Sequence, residues 1–175
     1  MHTLSIATIL FIFCAAVHPT AMAQHQILNN ATPLKHDVVT SIDANVFSSS
    51  EFKASDGTII RYRYLAPSTP KEQKHYPLIL QLHGSGGIGT DNVKQLDRLA
   101  KTWAMPEIRE KYQAYILVPQ FPIRSANYGP PTSDQYAVHS NALRAALELT
   151  EEFASRHAVD SSKIYAIGFS MGGSA

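Results

Sequence analysis

Cysteine occurs once in the 175 residues, at Cys14. It lies in an apolar leading stretch, so the rest of the chain has no disulfide, no thiolate nucleophile and no cysteine-based metal site. Clustered charge is equally scarce. The 15 Lys/Arg and 14 Asp/Glu residues are scattered and leave a formal net charge of +1, without the basic block that tracks nucleic acid or anionic lipid. No histidine pair has metal-ligand spacing. No G-x-x-x-x-G-K-[ST] run or early G-x-G-x-x-G is present to cradle a phosphate. Repeats and low-complexity segments are missing too. These absences speak against a nucleic-acid partner, a metal and a cofactor.

The one strongly apolar stretch is Leu4–Val17. It is shorter than the roughly 20 residues a bilayer span needs. Ala21-Met22-Ala23 follows, with small side chains at the two positions a signal peptidase must accommodate. Residues 1–23 therefore read as a secretory signal peptide cut before Gln24, although His2 and the amino terminus are the only positive charges ahead of the apolar stretch. Bulky Phe11-Ile12-Phe13 precedes Cys14 where a lipid-anchoring site wants small residues. The expectation is an exported protein, extracellular or periplasmic, with no stable membrane anchor.

Beyond the signal peptide, residues 24–50 are polar and weakly periodic and read as a leader or an irregular first element. Residues 51–175 carry stronger signals. Asp56-Gly57 marks a turn, and Thr58–Leu65 is rich in β-branched and aromatic residues, which predicts a hairpin at a sheet edge. Pro77–Leu82, Ala114–Val118 and Lys163–Ile167 are short apolar runs. Between them lie a helical pattern over 95–111 that breaks near Pro106, and a longer one from a Ser133-Asp134 cap to Arg156. In the longer helix Leu143, Ala146, Leu147, Thr150 and Phe153 mark an apolar face. Strands alternating with helices of this length predict an α/β fold, a mostly parallel sheet covered on both faces.

Gly168-Phe169-Ser170-Met171-Gly172 directly follows the last apolar run. A G-x-S-x-G sequence at such a junction presents a serine hydroxyl on a sharp strand-to-helix turn, with glycines where backbones approach closely. Taken alone, the pattern also fits a glycine-rich turn with an idle serine. A second glycine-rich segment, His83-Gly84-Ser85-Gly86-Gly87, ends the earlier run Pro77–Leu82. Acyl transfer needs amide donors aimed at a developing oxyanion, and a loop of this kind can provide one.

Together, Leu80–Gly87 and Val159–Gly173 carry a resemblance to the α/β-hydrolase superfamily, running from about Phe52 to Ala175. Within it the chain is similar to the secreted esterase and peptidase-like branch. That branch includes polyhydroxyalkanoate depolymerase-like and feruloyl-esterase-like proteins, the phospholipase/carboxylesterase group and prolyl-oligopeptidase-type catalytic domains. The resemblance implies Ser170 as nucleophile, with oxyanion donors from the amides of Met171 and Ser85, or Gly86 in place of Ser85. His83, Gly84, Gly87, Gly168 and Gly172 then support the two motifs, and Asp160 is a turn residue only. Chain order in this fold is serine, acid, histidine, so the acid and base are expected beyond residue 175. The chain is expected to be the N-terminal part of a catalytic domain, and inactive on its own.

The remaining candidates are weaker. Phe121 and Tyr128 are potential pocket residues in the loop 119–131, with Arg124 able to meet an acidic group, although a plain proline-rich surface loop fits as well. His139 and His157 read as surface and helix-end residues, and His36 and Asp37 as solvated. Trp103 and Met105 read as helix packing. Asn30-Ala31-Thr32 matches a glycosylation acceptor. The implied activity is hydrolysis of a carboxylic ester through an acyl-serine. Peptide cleavage by the same machinery and a non-catalytic binding protein on the same scaffold are the alternatives.

Overall fold

The computed structural model describes residues 36–128 and 137–175. The signal-peptide, glycosylation and Ser133-Asp134 capping expectations fall outside them. Residues 36–50, within the segment read as a leader or an irregular first element, carry regular structure. His36–Thr40 forms α1, Ala44–Val46 is a single 3-10 turn, and the first strand, β1, runs Ser48–Lys53. Val39 and Phe47 are buried. Each follows an apolar residue that is exposed, Val38 and Val46, so neither pair gives a periodic signal and local sequence does not show which member is buried.

The predicted hairpin forms. Gly57 takes φ +87°, and the Asp56 side chain accepts the Thr58 amide at 2.8 Å, so an Asx turn reverses the chain. β1 then pairs antiparallel with β2 (Ile59–Leu65), Phe52 opposite Ile60. The sheet continues with β3 (Tyr76–Leu82), β4 (Tyr115–Gln120) and β7 (Val159–Gly168), in the order β1-β2-β4-β3-β7. β2 meets β4 antiparallel, whereas β4–β3 and β3–β7 are parallel, with Ile79 opposite both Ile116 and Tyr165.

Alternation along the central strands sorts their side chains into two cores. Leu78, Leu80 and Leu82 of β3 join Leu117 of β4 beneath the long helix α4 (Asn141–Arg156), against its Leu149 and Phe153. On the opposite face Ile116 and Val118 pack with Leu65, Leu96, Ala100 and Trp103. That second layer is carried by α2 (Arg98–Thr102) and α3 (Pro106–Lys111), the two pieces into which Pro106 breaks the 95–111 pattern. Asp97 caps α2 by accepting the Ala100 amide at 3.0 Å. Met105 is buried.

Three expectations are corrected. Helix α4 starts at Asn141, with Ser140 as its N-cap, because Ala137–His139 (β6) pairs antiparallel with Ala126–Tyr128 (β5) instead of continuing the helix. Leu143, Ala146, Thr150 and Phe153 are buried as read, but Leu147 is 51% exposed and Ala142, Ala145 and Leu149 join the buried face in its place. β7 is not buried on both faces. Ile164 and Tyr165 are 41% and 54% exposed, and among the described residues β7 pairs only with β3.

Candidate active site

Ser170 sits where β7 ends and a 3-10 helix, Ser170–Ser174, begins. Its φ is +51°, one of three positive-φ non-glycine residues among those described. A left-handed L-residue costs roughly 1–2 kcal/mol, so the surrounding packing must hold it there. The flanking glycines explain how. A Cβ on Gly168 would enter the backbone of Gly172, and one on Gly172 would enter the Leu82 carbonyl. The turn is therefore drawn tightly against itself and against the end of β3, an approach only glycine permits. The Phe169 amide adds a hydrogen bond to the Leu82 oxygen at 3.2 Å.

The His83–Gly87 segment follows β3 and folds into a 3-10 turn over Ser85–Gly87, which touches the Ser170–Ser174 helix. Amides of Gly87 and Ile88 close the turn on the Gly84 and Ser85 oxygens, at 3.0 and 3.3 Å. The amides of Ser85 and Gly86 precede these bonds, like the unbonded first donors of any helix. Met171 holds the same position in the other turn, one residue before the Gly172 amide that bonds Phe169 at 2.9 Å. Two short helical N-termini thus lie together at the C-terminal ends of adjacent parallel strands, the edge at which α/β sheets bind ligands.

His83 is fully buried, and its imidazole is occupied. Nδ1 lies 2.7 Å from the Gly84 oxygen, and Nε2 accepts the Phe121 amide at 3.0 Å. This pairing requires the neutral ring with its proton on Nδ1. Burial pushes its pKa below the ordinary 6.5, against the opposing pull of the Gly84 carbonyl. Neither nitrogen is free to act as a base toward Ser170. The ring also fills the space a Cβ on Gly87 would need.

Other candidates separate clearly. Phe121 is fully buried, its ring 5.1 Å from that of His83, so it supports the loop and lines no open pocket. Arg124 is exposed, and Tyr128 ends β5. Asp160 lies within β7, where its carboxylate accepts from Lys163 Nζ (2.5 Å), Ser162 Oγ (2.6 Å) and the Ser162 amide (3.1 Å). Those bonds, led by Lys163, hold its pKa down at about 2. His139 is exposed in β6, and His157 stacks on Phe153 with centroids 3.9 Å apart. Among the described residues no histidine or carboxylate hydrogen-bonds the Ser170 hydroxyl, no His/Cys/Asp/Glu group is arranged to hold a metal, and no helix is long and apolar enough to cross a membrane. One contact had no sequence signal: buried Ser125 donates from Oγ to the Met171 carbonyl at 3.3 Å, bracing the elbow from the β4–β5 loop.

An inner parallel sheet with helices on both faces and a left-handed serine on a strand-to-helix elbow define the α/β-hydrolase fold, and the chain has that fold. Solved structures agree. A thermostable esterase superposes with TM-score 0.66 at 30% identity over 74% of this chain, and a bacterial heroin esterase with TM-score 0.51 at 20% identity over 90%. This chain spans only 36% and 44% of those two proteins. No protein-family model matches the chain, and no curated protein sequence does.

Proposed function

We propose that the full-length protein is a serine hydrolase that cleaves carboxylic esters through an acyl-serine intermediate. The observation that carries this reading is Ser170 at φ +51°, raised on the elbow beside the Ser85–Gly87 turn. The similarity to the thermostable esterase, the better-matched of the two neighbours, favours an ester over an amide substrate.

In the proposed cycle the Ser170 oxygen attacks the ester carbonyl carbon and loses its proton to a general base. The carbonyl oxygen becomes an oxyanion, held by the Met171 amide and by that of Ser85 or Gly86. Collapse expels the alcohol, which takes up the proton, and leaves an acyl ester on Ser170. Water then attacks this ester by the same route, releasing the acid and restoring the hydroxyl. His83 serves by shaping the loop. The order of catalytic groups in this fold assigns the base and its orienting acid to positions after Ser170 in the full-length protein.

Export completes the proposal. Residues 1–23 direct the chain out of the cytoplasm and are removed before Gln24, which suits an enzyme meeting exogenous esters. A fluorophosphonate probe tests the chemistry. Labelling of Ser170 in the folded full-length protein, with p-nitrophenyl ester turnover lost in Ser170→Ala, is expected. Absent labelling, or turnover unchanged by that substitution, rejects the reading.

A further inference from the structure

Gln120, the last residue of β4, is 1% exposed, and its carboxamide is spent on the oxyanion turn and the chain that follows it. Nε2 donates to the Gly87 carbonyl at 3.1 Å and to Asp91 Oδ1 at 2.9 Å. Oε1 accepts the Asn92 amide at 2.6 Å. The adjoining residue grips the same turn: Phe121 donates its amide to His83 and accepts the Gly89 amide at 3.0 Å. The end of β4 therefore holds both ends of the turn, His83 at its start and Gly87 at its close.

The far side of this loop is anchored independently. Asn92, at φ +56°, donates from Nδ2 to Ser49 Oγ (2.9 Å) and to the Tyr62 carbonyl (3.2 Å). Its own carbonyl accepts Arg63 Nε at 2.9 Å. Asp91 caps the next turn by accepting the Val93 and Lys94 amides, at 2.9 and 3.0 Å. The Lys94 amide, then the Gln120 side chain and the Val93 amide, hold its carboxyl well below the usual range, so it remains an anionic acceptor for Gln120. A neutral side chain with two donors and an acceptor is what this point requires, since both a carbonyl and a carboxylate face its nitrogen.

We propose that Gln120 is a positioning residue for the oxyanion turn, orienting the Gly84–Gly87 peptides so that the Ser85 and Gly86 amides face a substrate carbonyl held at Ser170. The proposal rests on the serine-hydrolase reading and deepens it. Gln120 touches no substrate; it acts through the Gly87 carbonyl, whose peptide is the last of the turn. Its loss should weaken stabilisation of the oxyanion and spare binding of the ground-state ester.

The test compares Gln120→Met and Gln120→Glu in the full-length protein, with rates counted per Ser170 site titrated by fluorophosphonate so that unfolded molecules do not enter. Gln120→Glu keeps the volume but sets an acceptor against the Gly87 carbonyl and Asp91. Asp91→Ala breaks the clamp from its more exposed end, without threatening the core. Expected is a fall in kcat of about tenfold in the Gln120 variants and about threefold in Asp91→Ala, with KM shifted less than about threefold. Affinity for a boronic-acid mimic of the tetrahedral intermediate should fall in step with kcat. Thr150→Val, a buried polar change in α4, should leave kcat unaltered. A kcat within twofold of the parent in a Gln120 variant, or in Asp91→Ala where neither Gln120 variant yields titratable sites, overturns the proposal. Turnover that survives Ser170→Ala instead rejects the serine-hydrolase reading, and the proposal with it.

Discussion

His83 and Phe121 are joined by a hydrogen bond in which the Phe121 amide donates to imidazole Nε2 at 3.0 Å, while the two rings pack 5.1 Å apart. The bond needs an unprotonated nitrogen, and both partners are fully buried. Protonating the ring would turn Nε2 into a donor facing another donor.

Acid should therefore weaken this site. The folded pKa of His83 lies below its ordinary 6.5, so the unfolded state binds the proton more readily. The resulting stability is present in full above about pH 6.5 and is lost as pH falls from there through the folded pKa. Replacing the ring leaves the Phe121 amide unpaired. His83→Leu should cost about 1–3 kcal/mol at pH 7.5. The gap to the parent protein should narrow at pH 5.5, as the parent loses its advantage. Urea unfolding of both proteins at the two pH values checks this; a gap that widens in acid contradicts it.

Gly172 allows no side chain, because the position of its Cβ is taken by the backbone of Leu82. Backbone cannot swing aside as a flexible side chain can. Gly172→Ala should destabilise the full-length protein by about 1–3 kcal/mol, the usual range for overpacking. The shift must also displace the elbow from the end of β3, so fluorophosphonate labelling of Ser170 should slow. Thermal unfolding and a labelling time course measure the two effects. Undiminished labelling would separate this glycine from the geometry of the nucleophile.

The parts of the fold readable from the sequence are those with local causes. Asp56-Gly57 writes its own turn, the three apolar runs write parallel strands, and G-x-S-x-G is legible because steric exclusion at Gly168 and Gly172 leaves no other residue there. What escapes are features fixed by distant partners. Ala137–His139 is a strand because Ala126–Tyr128 lies opposite, while in sequence it reads as the start of the helix that follows. Phe121 looks like a pocket residue until the buried imidazole of His83 is found against it. Gln120 ends an apolar strand with no motif around it, and its role appears only once Gly87, Asp91 and Asn92 are brought to its carboxamide.

Both faces of β7, and its edge, leave apolar side chains in water. Ile164 is 41%, Tyr165 54% and Ile167 36% exposed, and among the described residues that edge has no partner strand. Such an edge is a template for intermolecular pairing. Residues 24–175 expressed alone should self-associate, and should bind a hydrophobic dye more strongly than the full-length protein does. Their ester turnover should also be negligible. Size-exclusion chromatography over a concentration series reads the first expectation, and a monomer throughout would refute it. Parent-like turnover by this segment, abolished in Ser170→Ala, would refute the placement of the base after residue 175.

Ser170 itself offers a test that separates strain from chemistry. At φ +51° a side chain bearing a Cβ is strained and glycine is not. Ser170→Ala and Ser170→Gly both remove the hydroxyl, so both should abolish turnover and labelling. Only the glycine relieves the backbone. Glycine also gains entropy in the unfolded chain, which offsets part of the relief. The net expectation is that Ser170→Gly exceeds Ser170→Ala in stability by about 1 kcal/mol, from the left-handed cost less the glycine entropy. Because neither variant has a hydroxyl at this position, the comparison is free of any hydrogen bond the serine makes. Denaturant titration of the two proteins under one condition gives the difference directly. Equal stabilities, or an alanine form more stable than the glycine form, would show that the elbow does not hold residue 170 in the left-handed region, and would remove the observation on which the nucleophile assignment stands.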